Sequence, residues 1–149
     1  KAYDELVRLG LTEDSERLVR STFPDQTGML VVEQVIPESA ADGKLEPGDI
    51  LLRINGELVT EFVPLAAMLD DNVGEEIEVE LERGGEAVSY TLTVTDLHAI
   101  TPAEFIEFGD AIVNNLSSQQ SRHYNLPVRG VYVANPGYLL SKTAVPRCY

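Results

Sequence analysis

The sequence predicts an α+β fold that is mainly β with helices: a small, partly open β-barrel or sandwich capped by two helices, followed by an incomplete second unit. Three observations carry this prediction. Short apolar runs are bounded by turn residues such as Asn55-Gly56, residues 61–72 carry apolar side chains at helical spacing, and the order of elements recurs in residues 105–149. Short strands separated by glycine and proline turns are typical of small sandwiches and barrels.

The first strands follow Gly28. Met29 to Val32 is an apolar run that predicts a buried strand, and Ile50 to Ile54 predicts a second one after the turn at Glu46-Pro47-Gly48-Asp49. Asn55-Gly56 suits a tight hairpin, because both residues tolerate positive φ.

A helix is predicted next, over residues 61–72, packed on the strands. Its apolar residues recur at helical spacing: Phe62, Leu65, Ala66, Leu69 and Val73. Pro64 fits only near the helix start, where the N–H groups have no intrahelical acceptor to lose. Thr60 is the expected N-cap.

A strand pair closes the first unit. Over residues 76–82, apolar side chains alternate with Glu76, Glu78, Glu80 and Glu82, which predicts one buried face and one acidic face toward solvent. After Arg83-Gly84-Gly85, residues 88–94 alternate in the same way and complete an antiparallel pair. We therefore place the first domain at residues 1–97.

The second unit follows a linker at residues 98–104. Thr101-Pro102-Ala103-Glu104 has the N-cap, proline and glutamate of a short helix start, and a polar helical stretch is expected from Ser117 to Tyr124. Phe108-Gly109-Asp110 occupies the place of Leu9-Gly10-Leu11 in the first unit, which a polar helical stretch from Glu13 to Ser21 follows. We interpret the two units as an internal repeat whose second copy, residues 105–149, is truncated.

Composition excludes several classes of function. The 149 residues contain 11 basic and 25 acidic side chains, and the net charge of −14 repels nucleic-acid phosphates and anionic lipid. Because of this charge, a nucleic-acid partner is not expected. Membrane insertion is not expected either, since no apolar run approaches the roughly 20 residues that span a bilayer. The single cysteine, Cys148, forms no internal disulfide and favours an intracellular or organellar setting.

One stretch carries a specific resemblance. Val35-Ile36-Pro37-Glu38-Ser39-Ala40-Ala41, followed by Leu45-Glu46-Pro47-Gly48-Asp49-Ile50 and Asn55-Gly56, resembles the signature of PDZ domains. The order of elements resembles the permuted PDZ topology of HtrA proteases. Residues 96–102 and 126–132 look like the eukaryotic Deg/HtrA branch, plant chloroplast or fungal nuclear, and residues 135–139 and 144–147 look closer to the plant members.

The resemblance implies a peptide-binding groove. PDZ domains bind an extended ligand by strand addition beside a helix. By analogy, the backbone amides of Leu9, Gly10 and Leu11 would hold a terminal carboxylate, with Arg8 adding positive charge. An apolar ligand side chain would enter a pocket between Leu11 and the helix residues Leu65 and Met68. Asp110 in the second copy would repel a carboxylate, so that groove is expected to be degenerate.

Catalytic chemistry is not expected in this segment, and neither a metal site nor a cofactor is predicted. His98 and His123 have no triad or metal-ligand spacing around them, and Ser117 and Ser118 are interpreted as helix-capping residues. The glutamates of residues 75–82 are interpreted as a solvated face rather than a cation site. Cys148 is interpreted as a small buried hydrophobe.

The leading hypothesis for function is a regulatory, peptide-binding segment of an ATP-independent Deg/HtrA-type serine endopeptidase, cut from a longer chain. Its expected partners are unfolded or hydrophobic peptide segments, its own protease domain and other subunits of a homo-oligomer, in the chloroplast or the nucleus. The alternative is an architectural module that mediates intramolecular or oligomer contacts with its groove unoccupied. An autonomous enzyme is the third hypothesis and the least favoured, because the sequence shows no nucleophile, base, metal cluster or phosphate loop.

Overall fold

The computed structural model describes residues 1–141, apart from the side chain of Leu139. The chain divides into two compact units, the first comprising Lys1–Val35 and Ala40–Thr95 and the second comprising Ile36–Ser39 and the residues from Asp96 onward. The predicted limits of 1–97 for the first domain and 98–104 for a linker stay predictions. The interpretations of residues 144–147 and of Cys148 concern positions outside the described residues.

The first unit contains three helices and one four-stranded antiparallel sheet in the order β2-β1-β3-β4. Its elements are α1 (Tyr3–Leu9), α2 (Glu13–Thr22), β1 (Ile50–Ile54), β2 (Glu57–Leu58), α3 (Phe62–Asp71), β3 (Glu76–Arg83) and β4 (Glu86–Thr93). Hairpins at Asn55-Gly56 and Gly84-Gly85 join consecutive strands, and all four residues have positive φ. The hairpin predicted from Asn55-Gly56 is therefore confirmed.

The second unit contains an antiparallel sheet in the order β5-β6-β7. Its elements are β5 (Phe105–Phe108), β6 (Ala111–Asn115), α4 (Ser118–Tyr124), β7 (Val131–Asn135) and α5 (Gly137–Leu140). The helices and the two antiparallel sheets confirm the predicted α+β fold. Both sheets are open, and neither closes into a barrel.

Two apolar clusters form the core of the first unit. The α1–α2 cluster contains the buried residues Tyr3, Leu6, Leu11, Val19, Met29, Ile50 and Leu52. The sheet–α3 cluster contains the buried residues Leu51, Ile54, Val59, Ile77, Val79, Leu81 and Leu92, with Leu30, Leu65, Met68 and Leu69 packed against it. Neighbouring residues of β1 face opposite sides of the sheet, as the alternation of a strand requires, so this strand contributes to both clusters.

Met29 to Val32 is less regular than predicted. It forms isolated bridges, Ala2 with Gly28 and Val31 with Ile50, rather than a named strand. Only Met29 of this run is fully buried. The segment is nevertheless held to β1, because the Leu51 N–H donates to the Leu30 carbonyl at 3.0 Å and the Val32 N–H donates to the Asp49 carbonyl at 2.9 Å.

Helix α3 is present, but its predicted core stripe is partly wrong. Phe62 is 71% exposed and Val73 is 43% exposed beyond the end of the helix, whereas Leu65, Met68 and Leu69 pack on the sheet. Glu61, not Thr60, is the N-cap residue. Pro64 sits in the first turn as expected, where it forfeits no intrahelical bond.

Of the two helices predicted in the second unit, one is absent and the other is present. Thr101-Pro102-Ala103-Glu104 does not begin a helix, and the chain enters β5 directly. The aromatic and β-branched residues that follow pair with β6, and this pairing outweighs a local capping pattern. Ser117 instead caps α4 through a capping box with Gln120, which confirms the predicted polar helix.

Candidate peptide-binding site

The segment Leu9-Gly10-Leu11 ends a helix instead of forming a strand edge. Gly10 is the C-cap of α1 with φ of 106°, and a Cβ there would lie 2.5 Å from the backbone nitrogen of Gly85. The Gly10 N–H donates to the Val7 carbonyl at 3.1 Å, and the Leu11 N–H donates to the Leu6 carbonyl at 2.9 Å. These two amides are thus bonded within the helix cap, and the carboxylate cradle predicted at Leu9, Gly10 and Leu11 stays a prediction.

The residues of the predicted pocket belong to two different apolar clusters. Leu11 is buried in the α1–α2 cluster, whereas Leu65 and Met68 pack against the sheet–α3 cluster. Arg8 is exposed in the last turn of α1. The structure thus brings Leu65 and Met68 together and separates them from Leu11, and peptide contacts by Arg8, Leu65 and Met68 stay a prediction.

An open backbone edge lies instead on the segment that follows Gly28. Leu30 and Val32 turn their backbone groups toward residues 48–51. In an extended chain, successive residues point these groups in opposite directions, so the N–H and C=O of Val31 and Glu33 face away from β1. No backbone hydrogen bond of either residue is found in the described part of the chain. Sequence reasoning missed this edge.

The start of this edge is taken by the chain's own N-terminal residues. Lys1 and Met29 exchange two bonds: the Met29 N–H donates to the Lys1 carbonyl at 3.0 Å, and the Lys1 amino group donates to the Met29 carbonyl at 2.8 Å. A Cβ on Gly28 would lie 1.9 Å from the Lys1 carbonyl oxygen, so only glycine permits this approach. The glycine before an apolar run was the one available sequence signal for this close pairing.

Helix α3 contributes apolar side chains to the same core as this segment. Leu30 packs in one cluster with Leu65 and Met68, and the two α3 side chains remain partly exposed. At the N-terminus of the helix, Phe62 and Val63 are 71% and 77% exposed. The open backbone edge and a partly exposed apolar helix face are thus both built on the sheet–α3 cluster.

A buried charge pair fixes the turn that leads into β1. Arg83, at the end of β3, donates to both carboxylate oxygens of Asp49 at 2.7 Å, to Glu46 at 2.9 Å and to the Lys44 carbonyl at 2.8 Å. Burial favours the neutral acid, yet the hydrogen bonds from Arg83 and from the Glu46 N–H outweigh it, so the pKa of Asp49 is lowered. This network holds the Asp49 carbonyl where it receives the Val32 N–H.

Glu82 is a second buried carboxylate, and its predicted solvent exposure is wrong. It is only 4% exposed and accepts hydrogen bonds from the Thr12 N–H at 3.0 Å, from the Thr12 hydroxyl at 2.8 Å and from the Ser15 hydroxyl. Alternation fails here because the N-terminus of α2 lies over this end of β3. The carboxylate joins that helix to the sheet.

In the second unit, Gly109-Asp110 forms the turn between β5 and β6, with φ of 51° and 62°. It is therefore not the structural counterpart of Gly10, which caps a helix, and the proposed repeat alignment is wrong at this point. Strand β6 is paired on both sides, by β5 and β7. A cavity of about 340 Å³ lies elsewhere in this unit, with Ile100, Leu116 and Val128 among its lining residues.

The remaining candidate residues have structural surroundings. His98 is exposed, and the His123 ring packs edge-on against Tyr124 with 4.8 Å between ring centroids. Across residues 1–141, no three His, Cys, Asp or Glu side chains come together as metal ligands could. Of the helices that the structure describes, none is both long and apolar enough to cross a membrane.

Comparison with known proteins assigns both units to one domain type. The PDZ domain family matches residues 31–83, and the PDZ-like domain family matches residues 99–145. Protease Do-like 7 of Arabidopsis thaliana is 48% identical over 148 residues, which are 99% of this chain and 14% of that protein.

Fungal proteins give the same result. The pro-apoptotic serine protease NMA111 of Ajellomyces capsulatus is 49% identical over 89% of this chain, and that of Candida glabrata is 45% identical over 91% of it. The chain spans about a seventh of the length of these relatives. Two PDZ matches, and alignments that cover 89–99% of this chain, show that it is a PDZ-domain region of the Deg/HtrA-type serine protease family.

Proposed function

We propose that this segment recruits extended hydrophobic polypeptide to a Deg/HtrA-type serine endopeptidase of which it is part. The coarser role, a protein-interaction module, follows from its two PDZ units. The protease activity of the whole protein belongs to the proposal, because the relatives named as proteases are about seven times longer than the region matched. An intracellular setting, chloroplast or nucleus, is part of the same proposal.

The observation that carries the proposal is the open edge at Val31 and Glu33. An incoming strand would pair with their N–H and C=O groups, for which residues 1–141 supply no backbone partner, and such pairing is how strand addition gains affinity. Leu65 and Met68 offer a partly exposed apolar surface on the cluster that also holds Leu30. We expect a dissociation constant of roughly micromolar order, corresponding to about −8 kcal/mol.

The pairing of Lys1 with Met29 favours a second candidate function, an architectural one. If residues precede Lys1 in the full-length protein, the antiparallel register would carry them along the same edge past Val31. The edge would then be filled from within the chain, and the unit would act through contacts of its other surfaces.

Peptide titration separates these functions. Fluorescence anisotropy with a labelled apolar peptide would be measured for the chain and for Glu33→Pro, which removes the outward N–H, with Glu33→Ala as the matched control. We expect Glu33→Pro to weaken binding about tenfold or more, since proline is tolerated where an edge N–H faces solvent but cannot donate to a ligand. Equal binding by the two variants would overturn the proposed edge.

The terminal group of the peptide gives a further readout. Since the Gly10 and Leu11 amides are occupied, we expect the free acid and the C-terminal amide to bind equally well. A strong preference for the acid would show that a carboxylate cradle exists after all. The architectural function would be supported if this chain binds the peptide and the same chain, extended before Lys1 with the sequence of its full-length protein, does not.

A further inference from the structure

Strand β4 forms a second open edge in the first unit, at the end of the sheet away from β2. It is the last strand in the order β2-β1-β3-β4, and its outer side pairs with no other strand in the described part of the chain. It pairs with β3 without interruption over all eight residues. The edge is therefore long and regular, which is the kind of edge most able to accept another strand.

The hydrogen-bond pattern shows which residues face outward. Val94 exchanges bonds of 2.9 Å with Gly74 and Glu75 and therefore faces inward. Because inward and outward residues alternate, those that face outward are Ala87, Ser89, Thr91 and Thr93. The Lys44 ammonium donates to the Thr91 carbonyl at 2.7 Å from outside the sheet, which is consistent with this assignment.

The chemistry of this edge differs from that of the rest of the chain. Residues 87–93 contain no charged side chain and no proline, although the chain as a whole carries a net charge of −14. Of these residues, Val88, Tyr90, Thr91 and Thr93 are of types that favour strands. Lysines, prolines and bulges are the usual means of blocking an edge, and among residues 1–141 Lys44 is the one such residue that bonds to β4.

We propose that β4 is a self-association edge that pairs antiparallel with β4 of a second copy of this chain. A two-fold axis at Tyr90 places Ser89 opposite Thr91 of the second copy and Ala87 opposite its Thr93, so that outward-facing groups meet outward-facing groups. The same register places Val88 opposite Leu92 of the second copy. Within residues 87–93 every cross-strand pair is uncharged, and the four outward residues are all matched.

This register is the reason for choosing a second copy over a foreign strand. Aromatic, β-branched and hydroxyl pairs across antiparallel strands are the favourable ones, and here the strand supplies them to itself. A basic peptide drawn by the exposed glutamates of β3, such as Glu76 and Glu78, is the competing occupant. Two chains of like charge also repel, so added salt should strengthen self-association and weaken binding of a basic peptide.

The expected dimer is weak. One pair of short strands buries less than the roughly 1,200 Å² at which stable interfaces begin, so we expect a dissociation constant on the order of 10⁻⁴ M. Lys44 must release the Thr91 carbonyl before pairing. Removing this lysine should therefore tighten the dimer by about three- to tenfold, as expected for loss of one exposed charged contact in each copy.

Sedimentation equilibrium from about 10 μM to 1 mM, at low and high salt, tests the proposal. Ser89→Pro deletes an outward N–H, and Ser89→Ala is its matched control because both lose the hydroxyl that donates to Glu78 at 3.0 Å. We expect Ser89→Pro to remain monomeric, Ser89→Ala to dimerise like the parent chain and Lys44→Ala to dimerise more tightly. Amide chemical shifts should change with concentration at Ala87, Ser89, Thr91 and Thr93.

Three results would overturn it. The first is a chain that stays monomeric at about 1 mM and in high salt. The second is dimerisation that Ser89→Pro leaves unchanged while circular dichroism shows the fold intact. The third is a shift perturbation at β4 caused only by an added basic peptide.

Discussion

Replacing Arg83 with methionine should destabilise the first unit through the charge left on Asp49. The Asp49 side chain is 1% exposed and receives two 2.7 Å hydrogen bonds from Arg83, whose own side chain is 28% exposed. Removing one partner of a buried pair destabilises by about 3–5 kcal/mol, and the partial exposure of Arg83 argues for the lower end, about 3 kcal/mol. For a unit of this size the melting temperature should fall by about 12 °C or more.

A second arginine of the same sheet is the matched control. Arg53 pairs with Glu80 at 2.9 Å, and their side chains are 27% and 32% exposed. Both are therefore about as exposed as Arg83, and neither is buried as Asp49 is. Arg53→Met should therefore change the free energy of unfolding by about 1 kcal/mol or less. Differential scanning calorimetry of both variants measures the difference, and equal losses would refute the assignment of the effect to the buried carboxylate.

The pH dependence of stability gives an independent check. The folded pKa of Asp49 is lowered below its unfolded value, so its contribution is fully present above the unfolded pKa of about 3.9 and is lost as pH falls through the folded value. Arg83→Met leaves burial as the dominant effect and raises that pKa. The stability difference between the parent chain and this variant should therefore shrink on acidification, and a difference independent of pH would contradict the reasoning.

Two further substitutions test the α1–α2 side of the unit by urea denaturation. Glu82→Gln should destabilise the unit by about 1–3 kcal/mol, because the carboxylate accepts three hydrogen bonds from Thr12 and Ser15. The control Glu78→Gln, at an exposed position, should change the free energy of unfolding by no more than about 0.5 kcal/mol. Equal effects of the two substitutions would show that burial of Glu82 is unimportant. Gly10→Ala should lose about 2 kcal/mol, because φ is 106° and the new Cβ would meet Gly85, and a neutral result would exclude this close approach.

The sequence was sufficient where local chemistry and fold agree. Asn55-Gly56 specifies its hairpin because both residues tolerate positive φ, and the alternation in residues 76–94 specifies the β3–β4 pair. Ser117 and Gln120 specify the start of α4 through reciprocal hydrogen bonds.

The sequence was insufficient where distant contacts decide. A glycine between two leucines suits a strand or a helix C-cap equally well, and the contact of Gly10 with the Gly84-Gly85 turn, far along the chain, accompanies the second outcome. Glu82 looked solvated because alternation cannot reveal that Thr12 and Ser15 cover it. The open edge was missed for a similar reason, since backbone direction at Val31 depends on pairing with Ile50.

Amide hydrogen exchange at three consecutive residues tests the central claim most directly. The Val32 N–H donates to the Asp49 carbonyl and should be protected, whereas the Val31 and Glu33 amides should exchange rapidly and become slow when an extended apolar peptide is added. If Val31 and Glu33 are already as protected as Val32, or if saturating peptide leaves their exchange unchanged, no strand adds at this edge.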